Sequence, residues 1–81
     1  MRLSIASQVD SGNLNPDKAP DLYQKVDDIA RQINAGDIEE AHKKVEALRT
    51  KLHDLNQGGQ LSDAGYDVLL SDLEDISASL P

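Results

Sequence analysis

Apolar residues in the middle of the chain recur at alternating intervals of three and four positions. Between residues 36 and 59 they are Ile38, Ala41, Val45, Leu48, Leu52 and Leu55. Such spacing places all of these side chains on one side of an α-helix. Gly36 precedes the stretch and Gly58-Gly59 follows it, and glycine readily adopts the left-handed conformation that closes a helix. We therefore predict one long amphipathic helix here, against which the other segments pack.

The start of this central helix is marked by Asp37 and Glu40, which have the three-residue separation of a capping box. Only Ala35, Gly36 and Asp37 separate it from the preceding apolar pattern. Helices joined by so short a connection run antiparallel as neighbours. We therefore expect the central helix to pack directly against the helix before it.

Two segments ahead of the central helix also carry helical signals. The apolar spacing in residues 2–11 predicts a short helix. Asn15-Pro16 then combines a preferred N-cap residue with the residue favoured at the first helical position. Because Pro20 would remove an early backbone hydrogen bond, we predict an irregular first turn and regular helix from about Ala19.

The last segment is a predicted helix that begins after Ser62, a preferred N-cap residue. The apolar residues that follow are Tyr66, Leu69, Leu70, Leu73, Ile76 and Leu80. Gly65 lies in the first turn, where glycine is unfavourable for a helix. We expect this glycine to permit the close approach of a neighbouring backbone.

Together these patterns predict an all-α fold, an antiparallel helical bundle of three long helices plus one short N-terminal helix. We expect residues 1–81 to form a single domain. A weak internal repeat accompanies the pattern. Shifting the sequence by 47 positions places residues 12–15 on residues 59–62, and Ile5 on Leu52. The repeat predicts a duplication of one helical hairpin.

The charge balance narrows the classes of partner. Fifteen acidic and eight basic residues give a net charge of −7, which disfavours binding to nucleic acid and to anionic membrane surfaces. No apolar run approaches the length of a membrane span, so we expect no direct membrane insertion by this segment. The absence of cysteine excludes a disulfide framework and thiolate chemistry. We expect the chain to be a monomer.

The sequence contains no motif of common enzyme chemistry: no G-x-S-x-G, no phosphate-binding loop and no kinase motif. His42 and His53 lie eleven residues apart on the central helix, which places them roughly 16 Å apart. They therefore cannot share a metal ion, and we interpret them as exposed helix residues. We expect no enzyme activity, no cofactor and no metal site.

Negative charge is concentrated in the last helix, because residues 60–81 hold five acidic residues and no lysine or arginine. A solvated helix face, a docking face for a basic partner and a weak cation site are all compatible with this distribution. The two tyrosines are expected to cap the ends of the core with their hydroxyls at the surface, and they are also the best anchors for a partner. The candidate partner face comprises Tyr23, Tyr66, Asp63, Asp67, Leu70 and Glu74.

The order of turn and core signals resembles the FIMAH domain, a family of small bacterial helical modules. The corresponding motifs are Gly12-Asn13-Leu14, Gly36-Asp37, Ala41 through Val45, and Gly59-Gln60-Leu61-Ser62. The resemblance covers nearly the whole chain. One departure is that the aromatic residue of the family's name-giving motif is expected near Leu48, whereas this chain has no phenylalanine.

Two stretches, IASQVDSGNLNPDKAPDLYQKVDDIARQI and GGQLSDAGYDVL, are similar to the tails of actinobacterial membrane-anchored Ser/Thr protein kinases. This resemblance implies a non-catalytic interaction or sensory module, the extracytoplasmic C-terminal domain of such a kinase or of another surface protein. Its partner would be a protein or a cell-envelope ligand. Two other functions stay open: a structural spacer, and a weak cation- or small-ligand-binding domain that uses the acidic last helix. If the resemblance does not hold, we expect a soluble protein.

Overall fold

A computed structural model describes residues 1–80 of the chain, and that part consists almost entirely of helix. Its four α-helices are α1 (Arg2–Asp10), α2 (Ala19–Asn34), α3 (Ile38–Gln57) and α4 (Asp63–Ser79). One turn of 3₁₀-helix, Pro16–Lys18, precedes α2. This confirms the predicted all-α fold of three long helices and one short N-terminal helix, including the irregular turn before Ala19.

Side-chain caps begin three of the helical segments where the sequence predicted them. The Asn15 side chain accepts a hydrogen bond from the Asp17 N–H at 3.0 Å, and the Ser62 hydroxyl accepts one from the Gly65 N–H at 3.1 Å. At the start of α3 the Asp37 carboxylate accepts from the Glu40 N–H at 3.3 Å. Each cap provides a partner for a backbone N–H that has no acceptor inside the helix.

The capping box predicted at the start of α3 forms only in part. Its second half would need the Asp37 N–H as a donor to the Glu40 side chain. That N–H instead donates to the Gln32 carbonyl at 2.9 Å, which closes the C-terminus of α2. Gly36 between the two helices has φ 77°, the left-handed conformation of this type of helix end. The connection is so short that one residue both ends α2 and caps α3.

The core is aliphatic and is centred on α3. The side chains of Ala41, Val45, Leu48, Leu52 and Leu55 are buried, and Ile38 at the first position of α3 is half-buried. Helix α3 packs against α2 and α4, and α1 packs against the same two helices. The remaining buried apolar residues are Ile5, Leu14, Ala19, Leu22, Ile29, Leu61, Leu69 and Leu73. The stripe read from the sequence is therefore the centre of the tertiary packing.

Two turns, one after α1 and one after α3, pair with each other at one end of the bundle. Leu14 and Leu61 form an isolated antiparallel β-bridge between them. The Asn15 N–H donates to the Gln60 carbonyl at 2.9 Å, and the Ser62 N–H donates to the Asn13 carbonyl at 2.8 Å. A shift of 47 residues converts one of these hydrogen bonds into the other. The repeat in the sequence thus corresponds to an approximate two-fold relation in the fold.

The same shift relates two ion pairs that join the helices of each hairpin. Arg2 of α1 donates to both carboxylate oxygens of Asp27 on α2 at 2.7 Å. Arg49 of α3 donates to Glu74 on α4 through Nε at 2.9 Å and Nη2 at 2.6 Å. The predicted duplication therefore extends from the turns to the middle of both hairpins.

Candidate functional site

Five of the six residues of the candidate partner face predicted from the sequence lie on α4, and two of their carboxylates contact α3. Asp63, Asp67, Leu70 and Glu74 are spaced by four, three and four residues, and this spacing places them on one side of the helix. Asp63 accepts a hydrogen bond from the Asn56 side-chain amide of α3 at 2.8 Å. Two of the four residues, Asp63 and Glu74, are therefore engaged with α3, while Leu70 is half-buried and Asp67 is exposed.

Glu74 is neutralised within the molecule by Arg49. The guanidinium group also donates to Glu46, one turn earlier on α3. These hydrogen bonds, first to Glu46 and then to Glu74, raise the pKa of Arg49 above its ordinary value. Because the Glu74 side chain is 54% exposed, the pair contributes only about 0–1 kcal/mol to stability. Its main consequence is that Glu74 offers little free negative charge to a partner.

The two tyrosines belong to different hairpins. Both are half-buried and pack against the core. The Arg2 guanidinium lies over the Tyr23 ring, 4.7 Å from its centroid, in a cation–π arrangement. Tyr66 meets the His53 ring edge-on, with centroids 6.4 Å apart. Tyr23 on α2 therefore lies beside α1, and Tyr66 on α4 lies beside α3. Of the two tyrosines, only Tyr66 is on the same helix as the other candidate residues.

A neighbouring face of α4, which shares only Asp67 with the predicted partner face, is turned away from the rest of the bundle. We call it the outward face, and it consists of Ala64, Asp67, Val68, Ser71, Asp72 and Asp75. All of these residues are exposed except Asp72, which is half-buried. Val68 is 41% exposed and is one of two exposed large hydrophobic residues in the described part of the chain, the other being Leu3. The sequence signal was present, because Val68 lies outside the apolar stripe of α4.

The carboxylates of the outward face differ from most of those on α2 and α3 in having no cationic partner. Helices α2 and α3 contain seven acidic residues, and six of them have a lysine or arginine nitrogen within 4.0 Å. In α4, Glu74 is the one acidic residue with such a partner in residues 1–80. Asp67, Asp72 and Asp75 therefore present uncompensated negative charge around Val68.

Gly65, in the first turn of α4, is buried against the turn that follows α1. A Cβ atom at this position would lie 2.9 Å from Leu61 Cδ1, 3.0 Å from Asn13 Cβ and 3.2 Å from Gln8 Oε1. The close approach predicted for this glycine therefore exists, and the three nearest atoms belong to side chains. Gln8 is itself buried and accepts a hydrogen bond from the Asn13 amide at 2.8 Å.

Two concave regions of the surface lack the combination of groups that catalysis requires. One, of about 410 Å³, lies over the paired turns and includes Asn13, Asn15, Gln60 and Ser62 in its lining. The Asn15 amide donates to Gln60, so these polar groups already satisfy one another. The other, of about 140 Å³, lies between α2 and α3 and is lined by Lys25, Asp28, Lys44 and Ala47. Neither brings together a nucleophile, a base and an oxyanion donor.

The described residues contain no cluster of three or more histidine, cysteine or acidic side chains with the geometry of a metal site. His53 is exposed and contacts Tyr66, and His42 is half-buried. Among residues 1–80 no helix combines the length and apolar character that crossing a bilayer would require.

These features define a class of small all-α module, in which two helical hairpins share one aliphatic core and pair their turns through a single β-bridge. The model of the FIMAH domain family matches residues 1–78. The chain belongs to the FIMAH domain family. Searches of curated proteins and of solved structures returned no match.

Proposed function

We propose that this FIMAH domain is a non-catalytic interaction module whose outward face on α4 receives a basic segment of a partner protein. The observation that carries the proposal is the contrast between helices. The acidic residues of α2 and α3 are almost all paired with lysine or arginine, whereas those of the outward face are not. A face that served only solubility would mix both signs of charge, as the outer sides of α2 and α3 do.

The arrangement of charge on α4 carries a cost to the isolated chain. Asp63 and Asp67 are four residues apart, and Asp72 and Asp75 are three apart, so each pair of like charges destabilises the helix by about 0.2–0.5 kcal/mol. No basic residue lies in the last turn, where cations favour the helix dipole. A cationic partner would relieve both effects, which supports a docking role.

The apolar centre of the outward face suits a helix as the partner. Val68 offers exposed hydrocarbon, and the small residues Ala64 and Ser71 lie one turn to either side of it. Small side chains allow another helix to approach closely, while flanking acids select one with lysine or arginine at its edges. The proposed partner is therefore an amphipathic basic helix.

A two-part binding experiment tests this proposal with a defined probe. The probe is an 18-residue amphipathic helical peptide of leucine and lysine, titrated into the ¹⁵N-labelled chain while amide spectra are recorded. We expect the largest shifts on the outward face. The triple variant Asp67→Asn, Asp72→Asn, Asp75→Asn should weaken binding at least tenfold, because about 1.4 kcal/mol of lost attraction already corresponds to a factor of ten.

A matched control removes three exposed carboxylates elsewhere: Asp10→Asn, Glu39→Gln and Asp54→Asn. It changes the net charge equally, so it should weaken binding less than twofold. Equal losses in the two triple variants would show non-specific attraction to an acidic protein. Amide shifts centred on Tyr23 and α2 would support an interaction function but place the binding site there and not on the outward face. The absence of any amide shift would favour the structural spacer.

The proposal also concerns the larger protein to which this module would belong. The resemblance to kinase tails supports the extracytoplasmic C-terminal domain of a bacterial Ser/Thr protein kinase, or of another surface protein, with a protein or cell-envelope ligand as partner. Reading the gene around this segment tests it. A kinase domain followed by a membrane span upstream agrees with the proposal, whereas a free-standing reading frame would replace it with a soluble adaptor.

The cation-binding alternative makes a separate prediction. The carboxylates of α4 lie along a helix surface, and one of them, Glu74, is already paired with Arg49. Oxygen ligands for calcium must converge on one point at 2.3–2.6 Å. We therefore expect calcium to leave the melting temperature unchanged, and a clear rise would restore this alternative.

A further inference from the structure

The two hairpins of this fold meet across a surface that is self-complementary in part, because the nine residues of α1 correspond to the second half of α3. We call residues 2–34 the N-hairpin and residues 38–79 the C-hairpin. The two hydrogen bonds of the paired turns cross this surface in opposite directions, from Asn15 to Gln60 and from Ser62 to Asn13. The packing of α2 on α3 corresponds, under the same approximate two-fold relation, to the packing of α1 on α4. Each hairpin therefore presents to the other a version of the surface it receives.

One short hinge joins the hairpins. It consists of Ala35, Gly36 and Asp37, all of which are exposed. Gly36 has φ 77°, and no atom lies within 4 Å of the Cβ that another residue would place there. The left-handed conformation of Gly36, with a ψ of 75° at Asp37, turns the chain back so that α3 packs on α2. The turn is closed by local hydrogen bonds, from the Gly36 N–H to the Ile33 carbonyl and from the Asp37 N–H to the Gln32 carbonyl.

We propose that a second copy of this chain fits the surface between the hairpins, and that Gly36 keeps the chain monomeric. In the exchanged dimer, the N-hairpin of each copy pairs with the C-hairpin of the other. The core contacts and the Leu14–Leu61 bridge are reproduced across the two copies, and only the hinge changes conformation. With Gly36 and Asp37 both in right-handed helical geometry, residues 19–57 form one continuous helix of about 58 Å. This inference is independent of the partner proposed for α4.

The balance between the two states depends on residue 36. A short connection gives the hairpins of one chain an effective concentration in the millimolar range, so the unmodified chain stays monomeric at micromolar concentration. An alanine in the left-handed conformation is disfavoured by a factor of about 5–30. The exchanged dimer contains two copies of this alanine, and neither is left-handed there, so its formation removes the conformational penalty twice. Gly36→Ala should therefore strengthen dimerisation by about 30-fold or more, into the range of tens of micromolar.

The chain contains two matched controls. Gly12 and Gly59 have φ 78° and 77°, and a Cβ at either position also meets nothing within 4 Å. The strain of an alanine is the same there, but both residues lie inside a hairpin, where exchange relieves nothing. Gly12→Ala and Gly59→Ala should therefore be destabilised monomers.

The experiment refolds the full chain and its three glycine variants from denaturant at 10 µM to 1 mM and measures mass by light scattering after size exclusion. We expect a concentration-dependent dimer for Gly36→Ala alone, and in the unmodified chain a dimer only near 1 mM. The amide signals of Asn15 and Ser62 should keep their positions in the dimer, because their hydrogen bonds are rebuilt between copies. A monomeric Gly36→Ala chain at 1 mM, dimers of all three variants, or loss of those amide signals would overturn the proposal.

Discussion

Replacing Leu52 by alanine tests whether the stripe on α3 forms the core of the fold. Leu52 lies in the middle of α3, and its side chain is fully buried together with that of its repeat counterpart, Ile5. The substitution removes three carbon atoms from a site that neighbouring helices enclose. The loss of burial alone accounts for about 0.8 kcal/mol for each of these groups, or about 2.4 kcal/mol. The cavity left behind adds to this, so we expect a total of about 2–5 kcal/mol.

That magnitude is large for a chain of this size. A stability of about 0.05–0.15 kcal/mol per residue gives about 4–12 kcal/mol for 81 residues. The variant should therefore lose a large fraction of its free energy of unfolding. Since 1 kcal/mol shifts the melting temperature of such a domain by about 4–8 °C, we expect a drop of at least about 8 °C.

Urea unfolding followed by far-ultraviolet circular dichroism measures the change. Leu3→Ala is the matched control, because it removes the same atoms from a side chain that is 88% exposed. The control should change the free energy of unfolding by less than about 0.5 kcal/mol. A loss below about 0.5 kcal/mol for Leu52→Ala, or equal losses in the two variants, would refute the idea that α3 carries the core.

Three further substitutions probe the ends and surface of α4. Gly65→Ala should destabilise the fold by about 1–3 kcal/mol, because the new Cβ would lie 3.0 Å from Asn13 Cβ. This steric cost should exceed the gain from the better helix propensity of alanine. A raised melting temperature would show that the turn containing Asn13 can move to accommodate the methyl group. Ser62→Ala removes the N-cap and should cost about 0.5–2 kcal/mol in urea unfolding, and a neutral result would show that solvent can replace the cap. Glu74→Gln breaks the pair with Arg49 and should change stability by less than about 1 kcal/mol at low salt, with a smaller effect at 1 M salt.

The helix ends were predictable from the sequence because their causes are local. Gly36 adopts the left-handed conformation that was predicted for it, and Gly12 and Gly59, which follow α1 and α3, adopt the same conformation. Asn15 and Ser62 cap the helices that follow them. A capping hydrogen bond or a left-handed glycine involves residues only two to four positions apart, so the sequence alone contains the information.

The details that local patterns did not predict depended on groups that the sequence separates. The capping box at Asp37 forms in part because its N–H is already used to close α2. Gly65 faces the side chains of Asn13 and Gln8, which come from a turn and a helix more than fifty residues earlier. Neither competing partner can be identified from local spacing.

The candidate partner face shows the same limit. The sequence indicated that α4 concentrates the negative charge, because acidic residues can be counted along the chain. It could not show that Glu74 pairs with Arg49 while Asp67, Asp72 and Asp75 find no cation in the described residues. Which carboxylate is compensated depends on the rotation of α4 against α3.

The sequence by itself determined the helices, their ends, the stripe on α3 and the repeat of 47 residues, because periodicity and capping are properties of neighbouring positions. Only the tertiary structure decided how the two repeats meet. The exchange of hydrogen bonds around Leu14 and Leu61, and the pairing of Arg49 with Glu74, follow from packing four helices around one aliphatic core. Burial of that core fixes the rotation of each helix, and the rotation determines which polar side chains meet each other and which remain exposed.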